Sequence, residues 1–291
     1  MTRPDTPISV TGATTLVGII GHPVSHSRSP QMHNAAFSER GMNWAYVPFP
    51  VAPERLEAAV RGLAASGLRG FNVTIPHKEA VLPLLDQLSP EAEAIGAVNT
   101  VVIDDGRLTG HNTDGIGFVR ALHEAHRFRP RHSKVLILGA GGSARAVADQ
   151  LAREGVPEMY LCARRQEQAE ALAGHLAARH PECLFKTLPW SPLDHRCGIN
   201  WAELIVNTTP MGMKEGDGSP IDTNGISPGH IVVDLIYAPP VTPLLARCEA
   251  LRARCLNGFG MLLHQGAAAF TLWTGQPAPV DAMRRALGET I

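Results

Sequence analysis

Three short stretches end apolar runs in side chains that can do chemistry: Asn72-Val73-Thr74-Ile75-Pro76-His77-Lys78, Gly96-Ala97-Val98-Asn99-Thr100 and Gly110-His111-Asn112-Thr113-Asp114-Gly115. Together they offer a hydroxyl, an ammonium, an amide and a carboxylate. Such a set can bind a small polyhydroxylated molecule and handle a proton. A glycine-rich turn, Gly139-Ala140-Gly141-Gly142-Ser143-Ala144, follows them. A polar pocket first and a nucleotide-type turn second point to a dehydrogenase.

Groups placed in this way need strands that empty into loops, and the hydrophobic pattern supplies them. Residues 16–20 read as a buried parallel strand ending at Gly21, with further strands at 44–49, 70–73 and 98–103. Helical patterns run from Ser29-Pro30 to the stop at Gly41, and over 53–66, where Leu56, Ala59, Val60 and Leu63 share one face. The alternation predicts an α/β domain with a mainly parallel sheet. A helix over 117–128 leads away, and the boundary falls near 115. The pattern then restarts with a strand at 134–138, the glycine turn, a helix over 144–153 and strands at 159–162, 204–206 and 230–234. Helices over 258–274 and 280–287 close the chain, and the polar, Pro- and Thr-rich residues 1–13 read as a loose lead-in.

Bulk composition excludes several classes. The 291 residues are enough for two domains, with 44% hydrophobic and 18% charged residues, as in ordinary globular proteins. Lys plus Arg total 26 against 27 Asp plus Glu, a near-neutral balance that argues against nucleic acid or an anionic membrane as partner. The five cysteines are scattered without a C-x-x-C, and no apolar run reaches membrane-spanning length or forms a leader. A reducing, cytoplasmic setting is therefore expected.

The turn Gly139-x-Gly141-x-x-Ala144 sits between a strand and a helix, the context of a dinucleotide fingerprint. Gly139 suits the tight turn, Gly141 lets backbone approach a pyrophosphate, and Ala144 lets the helix pack closely on the strand. A merely structural turn is the alternative. An NAD site would end the next strand in Asp or Glu; here Cys162-Ala163-Arg164-Arg165-Gln166 offers two guanidinium groups that suit a 2′-phosphate, so NADP is expected. A solvated Arg pair opening a surface helix is the plainer reading. In Gly21-His22-Pro23-Val24-Ser25-His26-Ser27-Arg28-Ser29-Pro30-Gln31-Met32-His33-Asn34, no carboxylate or Cys completes a metal set with the histidines, so no metal is expected. The serines can instead hold a small anion, although Ser29 also fits a helix cap with Pro30 at the first position.

As an ordered series these segments resemble the shikimate dehydrogenase family over about residues 14–290. The series is S-x-S-x-P-x-x-H-N (Ser27 to Asn34), N-V-T-[VI]-P-x-K (Asn72 to Lys78), A-V-N-T (Ala97 to Thr100), N-T-D-G (Asn112 to Gly115), G-A-G-G (Gly139 to Gly142) and G-x-G-M-L-x-x-Q (Gly258 to Gln265). The resemblance implies reversible NADPH-dependent reduction of 3-dehydroshikimate to shikimate, a step of aromatic amino-acid biosynthesis. It implies a substrate domain over 1–115 and a Rossmann-type NADP-binding domain over 116–255. C-terminal helices over 256–291 would return to the substrate domain.

By the same resemblance, Ser27 and Ser29 would hold the substrate carboxylate with help from Tyr237, while Thr74, Asn99, Asp114 and Gln265 would bind ring hydroxyls. Lys78 and Asp114 would form the catalytic pair. Gly139, Ala140, Gly141, Gly142 and Ala144 would make the phosphate turn and Arg164 and Arg165 would hold the 2′-phosphate. Thr208, Leu235 and Gly258 would lie near the nicotinamide. Outside the motif context Lys78 and Asp114 would read as an ordinary surface ion pair.

Two departures stand out. Many members carry N-R-T with an Arg three positions after the Thr, where this chain has Ala163-Arg164-Arg165 and Gln168; His111 replaces an acidic residue or Tyr. Quinate dehydrogenases of catabolic type often have Thr at the second serine and an acid after the second Rossmann strand, so Ser29 and Arg164-Arg165 favour shikimate and NADP. A regulator that binds without turnover would be expected to break the Lys–Asp pair. A methyltransferase would want an acid where the Arg pair stands. The sequence leaves monomer and homodimer open.

Overall fold

The computed structural model describes residues 10–288, so the part of the expected lead-in at 1–9 lies outside the described residues. The chain divides into two compact units: 1–113 with 265–291, and 114–264.

The first unit opens with β1 (Thr15–Gly21), α1 (Ser29–Glu39), β2 (Trp44–Pro50), α2 (Leu56–Ala65) and β3 (Gly70–Val73). It continues with β4 (Gln87–Leu88), α3 (Pro90–Ile95), β5 (Thr100–Asp104) and β6 (Arg107–His111). The six strands order β2-β1-β3-β5-β6-β4. Three of the neighbouring pairs are parallel, whereas β5 runs antiparallel to both β3 and β6. The β5–β6 hairpin turns at Asp105-Gly106, both at positive φ (48° and 78°), a turn that Asp-Gly favours because it matches strand twist. The helical face expected on α2 is buried at Leu56 and Val60, with Ala59 and Leu63 packed beside them.

The second unit runs α4 (Asp114–His126), β7 (Lys134–Leu138), α5 (Gly142–Arg153), β8 (Glu158–Cys162), α6 (Gln166–Ala177) and β9 (Leu184–Leu188). Then come α7 (Pro192–Trp201), β10 (Leu204–Asn207), β11 (Ile231–Asp234), α8 (Pro243–Ala250) and β12 (Arg254–Leu256). Its six strands order β12-β11-β10-β7-β8-β9, and every neighbouring pair is parallel. This is the doubly wound Rossmann order, whose topological switch point lies between β7 and β10. Buried Val135, Ile137, Ala144, Val147, Ala148 and Leu151 pack α5 onto the sheet. The chain ends with α9 (Phe259–Thr274), along which it passes from the second unit to the first, and α10 (Val280–Ala286). No helix among the described residues is long and apolar enough to cross a membrane.

Candidate active site

In the first unit, topology gathers the polar segments. β3 runs parallel to β1, β5 returns antiparallel to β3, and β6, antiparallel to β5, again runs in the direction of β1 and β3. Ile20 therefore lies beside Val73, Asn72 opposite Thr100, and Thr100 opposite His111. The loops after β1, β3 and β6 and the residue before β5 thus share one edge of the sheet. Thr74 continues the ladder, its N–H donating to the Ile20 carbonyl at 3.0 Å, while Gly21 packs so closely on its methyl that a Cβ there would clash. The His77 ring donates to the Val51 carbonyl at 2.7 Å, and the Lys78 carbonyl accepts from Val98 N–H at 2.8 Å. These bonds fix the main chain beneath the half-buried Lys78 side chain.

Asn99 is held on both ends of its amide. Its Oδ1 accepts from Thr113 N–H at 2.9 Å and from the Thr100 hydroxyl at 3.0 Å. Its Nδ2 donates to Thr113 Oγ1 at 2.9 Å and reaches Gln265 Oε1 at 3.4 Å. Behind it, Asn72 Nδ2 donates to Thr100 Oγ1 at 2.9 Å, and the Tyr46 hydroxyl donates to Asn72 Oδ1 at 2.7 Å. The Asn, Thr and Tyr side chains of this network have few rotamers, so the chain of bonds sets which way the Asn99 amide points. His111 contributes its main chain here, its carbonyl accepting from Asn99 N–H at 3.1 Å. Burial lowers the pKa of the His111 ring, opposed by Glu91.

Ser29 is buried and is the first residue of α1; Arg28 occupies the cap position and makes no side-chain cap bond. The simple capping alternative for Ser29 is therefore not realised, and Pro30 is the second helical residue. Ser27 Oγ accepts from Ser29 N–H at 3.3 Å, so the two serines are held together. His22 and His26 are exposed, whereas His33 is fully buried, stacked on Tyr46 at 4.6 Å with neither ring nitrogen bonded.

The second unit carries Asp114, Tyr237 and all the predicted cofactor residues. Asp114 is the buried first residue of α4, where a carboxylate meets the positive end of the helix dipole. Tyr237 packs against Phe259 at 5.8 Å. At the switch point, Gly139 has φ +112° and lies against Thr208 Oγ1, leaving no room for a Cβ. Thr208 Oγ1 donates to the Leu138 carbonyl at 2.6 Å, binding β10's loop to the turn. Gly141 faces open space, and α5 begins there with no side-chain cap and no acid in its first turn. Its N–H groups thus point toward a position suited to an anion. Arg164 and Arg165 are exposed, and neither pairs with an acid among the described residues. The glycine turn, the uncapped helix and the two guanidinium groups fit a dinucleotide with a 2′-phosphate. Gly258 donates to the Ile236 carbonyl at 3.1 Å and sits so close to the Leu235 carbonyl that only glycine fits.

Sequence reasoning missed the supporting shell: Tyr46, Thr100 and Thr113 around Asn99, and Asn207, Asp234 and Thr242 behind the cofactor loops. Asn72, Thr100 and Thr113 lay inside the quoted motifs, and Asp234 at the end of the expected strand 230–234. Their role shows only when the bonds are drawn.

Three family models match the chain: the shikimate dehydrogenase substrate binding domain at residues 19–101, shikimate/quinate 5-dehydrogenase at 123–189, and the shikimate 5′-dehydrogenase C-terminal domain at 258–287. A protein of Citrifermentans bemidjiense named shikimate dehydrogenase (NADP(+)) is 48% identical over 280 residues, covering 96% of this chain and 97% of its own. One of the same name from Methanopyrus kandleri is 48% identical over 285 residues, covering 97% of this chain and 98% of its own. The crystal structure of shikimate 5-dehydrogenase from Listeria monocytogenes with shikimate and NAD superposes with a TM-score of 0.86. It is 40% identical, covering 96% of this chain and 98% of that one.

Proposed function

We propose the following reading for this chain, which belongs to the shikimate dehydrogenase family. It is an NADP-dependent oxidoreductase acting on a CH–OH group, interconverting 3-dehydroshikimate and shikimate. The observation that carries the assignment to individual residues is the hydrogen-bonded edge around Asn99, a preset amide held by Thr113 and beside Gln265. It serves chorismate and aromatic amino-acid biosynthesis in the cytoplasm.

When bound, NADPH supplies the hydride that reduces the ketone. Ser27 and Ser29 hold the substrate carboxylate, assisted by Tyr237, and Thr74, Asn99 and Gln265 bind the ring hydroxyls. As negative charge builds on the carbonyl oxygen, the Lys78 ammonium stabilises it and donates the proton from Nζ; in the reverse direction Lys78 takes the proton back. Asp114 is the carboxylate of this pair and accepts from a ring hydroxyl. Gly139, Ala140, Gly141, Gly142 and Ala144 form the phosphate turn. Arg164 and Arg165 hold the 2′-phosphate, and Thr208, Leu235 and Gly258 border the nicotinamide.

Initial rates of the purified protein with shikimate and with quinate, each with NADP⁺, test this reading. A kcat/KM for shikimate at least about a hundredfold above that for quinate is expected, since quinate's extra hydroxyl meets a site built for another shape. Equal values would move the chain to the quinate branch.

A further inference from the structure

Asn207 and Asp234 are fully buried at the C-terminal ends of the neighbouring strands β10 and β11, opposite each other in register. Asn207 Nδ2 donates to Asp234 Oδ1 at 3.0 Å. Each residue then reaches into its own loop. Asn207 Oδ1 accepts from Thr209 N–H at 3.0 Å and from the Thr209 hydroxyl at 2.7 Å. Asp234 Oδ1 accepts from Ile236 N–H at 3.1 Å, and its Oδ2 takes the Thr242 hydroxyl at 2.8 Å. The Ile236 carbonyl in turn accepts from Gly258 N–H at 3.1 Å. One amide–carboxylate contact therefore ties together the segments that carry Thr208, Leu235 and Gly258.

A neutral side chain would be easier to bury. Burial pushes the Asp234 carboxyl up to about 6, against the pull of the bonds from Thr242, Ile236 and Asn207. What a carboxylate provides is acceptors on both oxygens, able to hold donors on two sides at once.

We propose that Asp234, acting through Asn207, is a positioning residue for the nicotinamide end of the cofactor, holding the Thr208, Leu235 and Gly258 segments in one arrangement. This rests on the NADP-dependent reading above. Asp234→Asn keeps shape and volume but turns an N–H₂ toward the Thr242 hydroxyl, whose proton then loses its acceptor. Thr242→Val removes the same bond from the other side, along with the cap that Thr242 Oγ1 gives Leu245 N–H at the start of α8, and Thr242→Ser restores both.

The test measures kcat, KM for shikimate, NADP⁺ affinity by calorimetry and Tm for the wild type and these three variants. The expected result is a fall in kcat of about 10–100-fold in Asp234→Asn and Thr242→Val, the scale of a small misplacement of reacting groups. The phosphate end is untouched, so the Kd for NADP⁺ should stay within about threefold, and Thr242→Ser should recover kcat. The proposal is overturned if Asp234→Asn keeps kcat within twofold of wild type. It is equally overturned if kcat, NADP⁺ affinity and Tm fall together, the pattern of a merely structural group. Wild-type turnover of shikimate with NADP⁺, measured alongside, separates failure of this role from failure of the reading beneath it.

Discussion

The candidate sites of the two units are built by different physical means. In the first, the candidate site is made of side chains: Asn99, Thr100, Thr113 and Asn72 are all buried and linked by hydrogen bonds. In the second, it is made of main chain and surface charge: a glycine turn, an uncapped helix start and two exposed guanidinium groups. The ring hydroxyls of a polyhydroxylated substrate offer only short-range, directional bonds, so they need a preset hydrogen-bond pattern. A dinucleotide phosphate carries charge that backbone N–H groups and arginines attract without fine orientation. Substrate selectivity should therefore be sensitive to buried isosteric changes in the first unit, and cofactor selectivity to surface charge in the second.

Removing the proton donor should have the largest effect. Lys78→Ala is expected to lower kcat by about 10²–10⁴-fold while leaving NADP⁺ affinity in place; stopped-flow or steady-state rates with purified variant give the number. A loss below tenfold would take Lys78 out of the chemistry.

Acid stability should separate the units next, because each buries a titratable group of opposite effect. Burial lowers His33 from 6.5 to about 3. Between those values the unfolded chain binds more protons, so stability falls as pH falls, by about 5 kcal/mol over the window. Asp234 is raised from 3.8 to about 6. There the folded chain binds more protons, so stability rises as pH falls, by about 3 kcal/mol. Measured from pH 7 to pH 4, the Tm of wild type should fall relative to His33→Phe and rise relative to Asp234→Asn. Slopes of the same sign would show that the two groups do not set this dependence.

A smaller change should follow from Thr100→Val, which deletes one hydroxyl between Asn72 and Asn99. Losing it should cost about 1–3 kcal/mol of stability and raise KM for shikimate, with KM for NADP⁺ unmoved and Thr100→Ser close to wild type. A rise confined to the cofactor KM would contradict the division between the units.

Much of this was legible in the sequence because periodicity and turn chemistry are local. The strand, glycine turn and helix around Gly139 were readable from Lys134 to Arg153, and the parallel strands at 204–206 and 230–234 from their apolar runs. The hairpin partner β6 was not recognised, although Asp105-Gly106 marks its turn, because Arg107 and His111 break the apolar alternation. β9 was missed for a similar reason: it is an edge strand with Leu184 exposed and Lys186 within it. The site residues that touch ligand in the family pattern could be named from motifs. Tyr46, Asn207 and Thr242 could not, because a supporting hydrogen bond is defined by a partner distant in the chain.

The most direct test of the comparison is kcat/KM for NADP⁺ and for NAD⁺, at saturating shikimate, in wild type and in Arg164→Ala/Arg165→Ala. The expected result is a strong wild-type preference for NADP⁺ that collapses by about 10–100-fold in the double variant, the scale of one or two charge-assisted hydrogen bonds, with the NAD⁺ value and the shikimate KM unchanged. A preference that survives the double substitution, or a shikimate KM that moves with it, would contradict the account.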